Sequence, residues 1–206
     1  VVSFLPDRDA LPDIECGKFG SALHAACFVG NTDVAELLLQ RGTLSEPESV
    51  LPSNAVAMAA LHGYRDLVAF LLDRGMEIEA EGQLGTPLRA ASLMGYEHVA
   101  HLLVERGVRV DGGEESPLGS ALQAAAIRGH PRIVRLLLAE GANVHRKSGT
   151  YGTALEAAAY HGHKDVAEVL LDARADIGIE GLARDAFRAA AEGGRHDIIR
   201  LFLDKG

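Results

Sequence analysis

Apolar residues recur along this chain in a stripe that restarts every thirty-odd positions. It opens at Val34, Leu67, Val99, Ile133, Val166 and Ile198 and continues three residues on at Leu37, Phe70, Leu102, Leu136, Val169 and Leu201. It closes one residue later at Leu38, Leu71, Leu103, Leu137, Leu170 and Phe202. Spacing of i, i+3, i+4 is that of one buried helical face. Glu36, His101, Arg135, Glu168 and Arg200 fall between the columns and mark the solvent side, with Ala69 the exception. Ahead of each stripe runs a short alanine-rich stretch, such as Ala124-Ala125-Ala126 or Ala157-Ala158-Ala159, which predicts a second, smaller helix able to approach its neighbours closely.

The punctuation agrees with this reading. Each alanine-rich helix is preceded by a residue of N-cap type (Ser21, Asn54, Thr86, Ser120, Thr153 and Asp185), and Pro87 sits where the first helical residue needs no N–H. Acids open the second helix at Asp33, Asp66, Asp165 and Asp197, where the helix dipole favours them, while Pro131 opens the fourth. The second helices are expected to stop at Gly42, Gly75, Gly107, Gly141 and Gly206; Arg174 breaks that column. A marker glycine follows each alanine run at Gly30, Gly63, Gly95, Gly129, Gly162 and Gly194, in steps of 33, 32, 34, 33 and 32 residues.

A fixed period of this size defines a stacked array, in which no unit buries its apolar face alone. The expected organisation is one elongated all-α domain over 1–206, with a partial leading repeat at 1–19. The fuller repeats lie near 20–52, 53–84, 85–118, 119–151, 152–183 and 184–206. Val1–Asp9 aligns with Val34–Gly42, with Pro6 in place of an inward leucine. Both ends fall inside the period, so the chain is expected to be a piece of a longer protein. Segments such as 76–84 and 142–151 lack helical patterning and should project as hairpin-like fingers. Small residues in one layer and large aliphatics in the other should bend the stack toward the narrower layer.

Composition narrows the chemistry. The net charge of −9 speaks against phosphate-backbone binding, so no nucleic acid is expected. No apolar run is long enough for a membrane helix, and Cys16 and Cys27 can form neither a disulfide framework nor a four-ligand zinc site. An intracellular setting is expected, cytoplasm and nucleus being indistinguishable; Cys27 lies in the small-residue column as a core filler. Nine histidines invite a metal or catalytic reading, notably His161-Gly162-His163 and His98 with His101. They occupy repeat columns, however, and no ligand set completes four-coordinate spacing. The glycines are spaced by the repeat and form no phosphate loop, and no nucleophile stands apart from the columns with a base and an acid. No cofactor, metal or enzymatic activity is expected.

These units resemble the ankyrin repeat, whose T-P-L-H-x-A-A opening is approached by Thr86-Pro87-Leu88-Arg89-Ala90-Ala91 and by Ser21-Ala22-Leu23-His24-Ala25-Ala26. Gly129-His130 and Gly162-His163 match the family's G-H turn, and Gly141-Ala142-Asn143-Val144 its repeat ending. The aromatic-glycine pairs Phe19-Gly20 and Tyr151-Gly152 look like those of long fungal arrays, often found behind nucleotide-binding signalling domains. The resemblance implies an ankyrin solenoid that grips a protein partner in a concave groove without catalysis. It implies that the two residues before each marker glycine face that groove: Phe28 and Val29, Leu61 and His62, Leu93 and Met94, Ile127 and Arg128, Tyr160 and His161, then Glu192 and Gly193, the first five pairs forming an apolar stripe with polar edges. Acids gather on three consecutive fingers, Glu79 and Glu114 among them, before His145, Arg146 and Lys147 reverse the sign, which suits a partner carrying a basic segment. The alternative is an intramolecular regulatory or spacer arm of a larger enzyme or signalling protein.

Overall fold

The computed structural model describes residues 22–40, 55–80, 84–113, 118–173 and 182–205, and within them the chain is a run of helix pairs. The inner helices are α1 (Ala22–Val29), α3 (Ala55–Leu61), α5 (Pro87–Met94), α7 (Ala121–Arg128), α9 (Ala154–His161) and α11 (Leu182–Glu192). The outer ones are α2 (Thr32–Gln40), α4 (Arg65–Asp73), α6 (Glu97–Glu105), α8 (Pro131–Ala139), α10 (Lys164–Asp172) and α12 (His196–Lys205). No strand forms among the described residues, and the described connections run through turns. Cys16, Ser21, Gly42, Asn54, Glu114, Arg174 and Gly206 lie outside them.

Capping follows the sequence in the middle of the array. The Thr86 hydroxyl accepts the Arg89 N–H, and Ser120 with Gln123, like Thr153 with Glu156, forms a reciprocal capping box. Asp185 departs from expectation. Helix α11 starts at Leu182, so Asp185 lies inside its first turn and pairs with Arg188 (3.5 Å) and with Lys147 (3.3 Å) of the finger before α9. An acid one turn into a helix still suits its dipole, which is why the residue type alone misplaced the boundary.

The core is a single apolar cluster running through every pair. The first and third columns of the outer helices are buried almost throughout, but the middle column is only half-buried at Leu37, Phe70, Leu136 and Val169. Its place is taken by Ala35, Val68, Ala100, Val134 and Ala167, which are fully buried one residue after the first column. Inner helices pack on successive inner helices much more closely than outer on outer. Alanine explains the difference, because a methyl group lets two backbones come together where leucine holds them apart. Cys27 is fully buried in this layer.

Each inner helix ends the same way. The marker glycines are all left-handed, with φ between 68° and 89°. The next residue's N–H reaches back to an alanine carbonyl, as from His130 to Ala125 and from His163 to Ala158, both at 3.0 Å. That next side chain then lies on the marker glycine of the preceding unit: Tyr64 on Gly30, Tyr96 on Gly63, His130 on Gly95, His163 on Gly129 and Arg195 on Gly162.

Two glycines separate backbone strain from this contact. A Cβ at Gly129 would sit 2.4 Å from His163 Nδ1, whereas a Cβ at Gly141, equally left-handed, would meet nothing. Gly141→Ala should cost about 1–2 kcal/mol and Gly129→Ala about 2–4 kcal/mol, read from urea melts. Equal losses would mean that the ring does not press on the glycine.

Candidate functional site

The ten inner-helix residues singled out from sequence stand in register at the ends of α1, α3, α5, α7 and α9. Val29 is 64% exposed, Phe28 38% and Met94 39%, and Arg128 is also exposed. Leu61, His62, Leu93, Ile127, Tyr160 and His161 are half-buried. A helix's last turn leaves its carbonyls without intrahelical partners, and here the next unit supplies them. The imidazole Nε2 of His130 donates to the Leu93 carbonyl (3.3 Å), that of His163 to Ile127 (3.0 Å), and Arg195 Nε to Tyr160 (3.1 Å). Because a carbonyl only accepts, both imidazoles carry their proton on Nε2. The exposed pairs are thereby fixed to a rigid seam, and this seam is the feature sequence reasoning missed. Its signal was available in the residue after the marker glycines, a ring or a long cation at Tyr64, Tyr96, His130, His163 and Arg195, with Asn31 the exception.

Side chains on the seam stack along it. Phe28 meets His62 edge-on (4.7 Å between centroids), and His62 stacks on Tyr64 (5.9 Å). Further along, His161 meets Tyr151 (4.8 Å), Tyr160 (5.3 Å) and His163 (6.1 Å). Burial holds the imidazole of His161 below its ordinary value of 6.5, and the positive charges of His163, Arg195 and Arg128 push it the same way. His130 is lowered chiefly by burial, with its bond to Leu93 opposing. A depression of about 540 Å³ between Gly30, Tyr64 and His98 lies on the turn edge, where its wall is the ring-on-glycine contact. No group of three metal-ligating side chains is assembled among the described residues.

The fingers are tied to one another. Glu79 accepts the Arg109 N–H (2.7 Å) and Asp111 that of Asn143 (2.9 Å), so each acid holds the next finger's backbone. Glu79 is only 19% exposed and is therefore occupied structurally; Glu114 lies outside the described residues. Gln123 is buried and donates to the Arg146 (3.0 Å), Ser148 (3.1 Å) and Gly152 carbonyls, fastening α7 to the following finger.

A family model described as ankyrin repeats, in three copies, matches residues 23–114 and 109–181. The human Ankyrin repeat and KH domain-containing protein 1 is 34% identical over 94 residues, 44% of this chain and 4% of that protein. The mouse Protein fem-1 homolog A-like is 28% identical over 85 residues, 41% of this chain and 13% of that protein. The chain thus spans a small part of the length of both relatives. The crystal structure of the human ASB11 ankyrin repeat domain matches with a TM-score of 0.77 at 23% identity, covering 90% of this chain and 84% of that one, a likeness of fold. No helix among the described residues is long and apolar enough to cross a membrane.

The two lowered imidazoles give the array a pH dependence whose sign is fixed. A histidine harder to protonate when folded costs nothing while neutral in both states, and destabilises as pH falls from 6.5 through its lowered folded value. His161→Gln should therefore lose less stability than the parent between about pH 7.5 and about pH 5.5 in urea melts. Parallel profiles for the two proteins would contradict this.

Proposed function

The chain belongs to the ankyrin-repeat family, whose repeats are generally protein–protein interaction modules, and on that premise we propose that it binds a protein partner along the inner-helix ends. One observation carries the reading. Among the described residues four large hydrophobics are exposed, Phe28, Val29, Met94 and Leu203, and three of them stand at the two positions before a marker glycine. Exposed apolar side chains gathered on one rigid face mark an interaction surface. Leu61, Leu93, Ile127 and Tyr160 form the half-buried floor between those anchors, and His62, Arg128 and His161 are its polar edge. Glu79 and Asp111 are bonded to the adjacent fingers, so the proposal rests on the apolar anchors and not on a basic segment drawn in by finger charge. The units near 20–52, 53–84, 85–118, 119–151, 152–183 and 184–206 are the repeats of this proposed module. No catalytic step is assigned to the chain.

Val29→Asp and Met94→Asp test the reading against Leu203→Asp on the outer helix α12. A partner captured by the parent chain should bind each inner-face variant more weakly by about 1–3 kcal/mol and Leu203→Asp unchanged, with circular dichroism showing intact helix in all three. Equal binding by folded Val29→Asp and Met94→Asp, or loss only in Leu203→Asp, would move the site to the outer layer.

A further inference from the structure

The cluster at the end of α9 is not explained by an apolar docking face. His161 packs against Tyr151 and Tyr160 and over His163, and each charged group that bears on it, His163, Arg195 and Arg128, is basic. Nε2 of His161 is buried and has no hydrogen-bond partner among the described residues. Among the described residues Arg128 and Arg195 form no ion pair, and Arg195 donates to the Tyr160 carbonyl. Four carboxylates of the neighbouring units have partners of their own. Glu97 pairs with Arg132 (3.4 Å), Glu192 with Arg188 (3.7 Å), Glu168 with Lys164 (3.8 Å), and Glu156 is bonded to Thr153 (3.2 Å). In a chain of net charge −9 the charges that bear on His161 include no acid. Like charges repel, so the arrangement is one that an incoming anion would relieve.

We propose that the surface bounded by Arg128, His161 and Arg195 receives an acidic segment of the protein partner, Asp or Glu carboxylates settling on the two guanidinium groups beside the imidazole. The inference rests on the reading that the partner lies along the inner-helix ends. A nucleic acid does not suit the site, because a long polyanion would also have to pass the acidic remainder of the chain. A short acidic stretch beside an apolar one matches the change along the face from Val29 and Met94 to Arg128 and His161. The proton follows from the charges. A carboxylate beside His161 favours the imidazolium that the neighbouring bases oppose, so binding takes up a proton and tightens as pH falls. The other groups facing this ring, Tyr151, Tyr160 and His163, bring no carboxylate to it.

The probe is hexaglutamate, followed through the imidazole resonances of the chain by NMR at low salt, with hexalysine and inorganic phosphate as controls. Hexaglutamate should shift His161 and His163 and bind roughly tenfold more tightly at about pH 6 than at about pH 8. Arg128→Gln with Arg195→Gln should weaken it about threefold to tenfold, while Arg128→Lys keeps most of the affinity. Arg195 also braces the α9 turn, so the exposed Arg128→Gln alone decides the matter should the double variant lose helix. Binding indifferent to pH or to the Gln variants, or hexalysine moving the same resonances, would overturn the proposal. So would phosphate acting at lower concentration than hexaglutamate, which would assign the site to a phosphoryl group. Loss of the protein partner in Val29→Asp and Met94→Asp with no response to hexaglutamate would sink this inference and leave the inner-face reading standing.

Discussion

The contact of one unit's turn side chain with the preceding unit's glycine is the constraint on which the rest of the structure depends. A pair of short helices cannot bury enough apolar surface to hold itself together, so each must be stacked on the next. Alanine in the inner layer permits that approach, and the left-handed glycine leaves the space into which Tyr64, Tyr96, His130, His163 or Arg195 is laid. Any Cβ at those glycines would have to displace an aromatic ring, an imidazole or a guanidinium. The closer packing of inner on inner helices follows.

The same seam decides what the surface can present. The carbonyls of Leu93, Ile127 and Tyr160 are taken by the following unit, which pins the last turn of α5, α7 and α9. Residues there are held without being covered, and a rigid side chain loses little conformational freedom when it binds. Ion pairs between successive outer helices, such as Arg106 with Asp73 (2.8 Å) and Lys205 with Asp172 (2.8 Å), span the other side of the stack. Being exposed they contribute little to stability and serve mainly to keep the register.

Much of this was legible in the residues, for a physical reason. A repeat writes the same constraint many times, so helix pairs, capping residues and left-handed glycines could be read from their columns. Four features could not. The half-buried state of Leu37 and Phe70 depends on how far each outer helix is rotated, which an i, i+3, i+4 pattern leaves open by a residue. Glu79 reads as a solvated acid until the neighbouring finger brings the Arg109 amide to it, since charge type does not reveal which backbone is within reach. Asp185 reads as a cap because acids suit both the cap and the first turn. The cluster around His161 was visible only as a His-Gly-His motif. Tyr151, Arg128 and Arg195 join it from other units, at separations set by the stack and not by sequence proximity.

Native-state hydrogen exchange tests most directly the claim that the units are held by their neighbours and not by themselves. The account predicts that amides of α5, α7 and α9 share the slowest exchange and open together with α6, α8 and α10, while α1 with α2 and α11 with α12 exchange faster. Separate opening energies for each central helix pair, or slowest exchange at the terminal pairs, would contradict it.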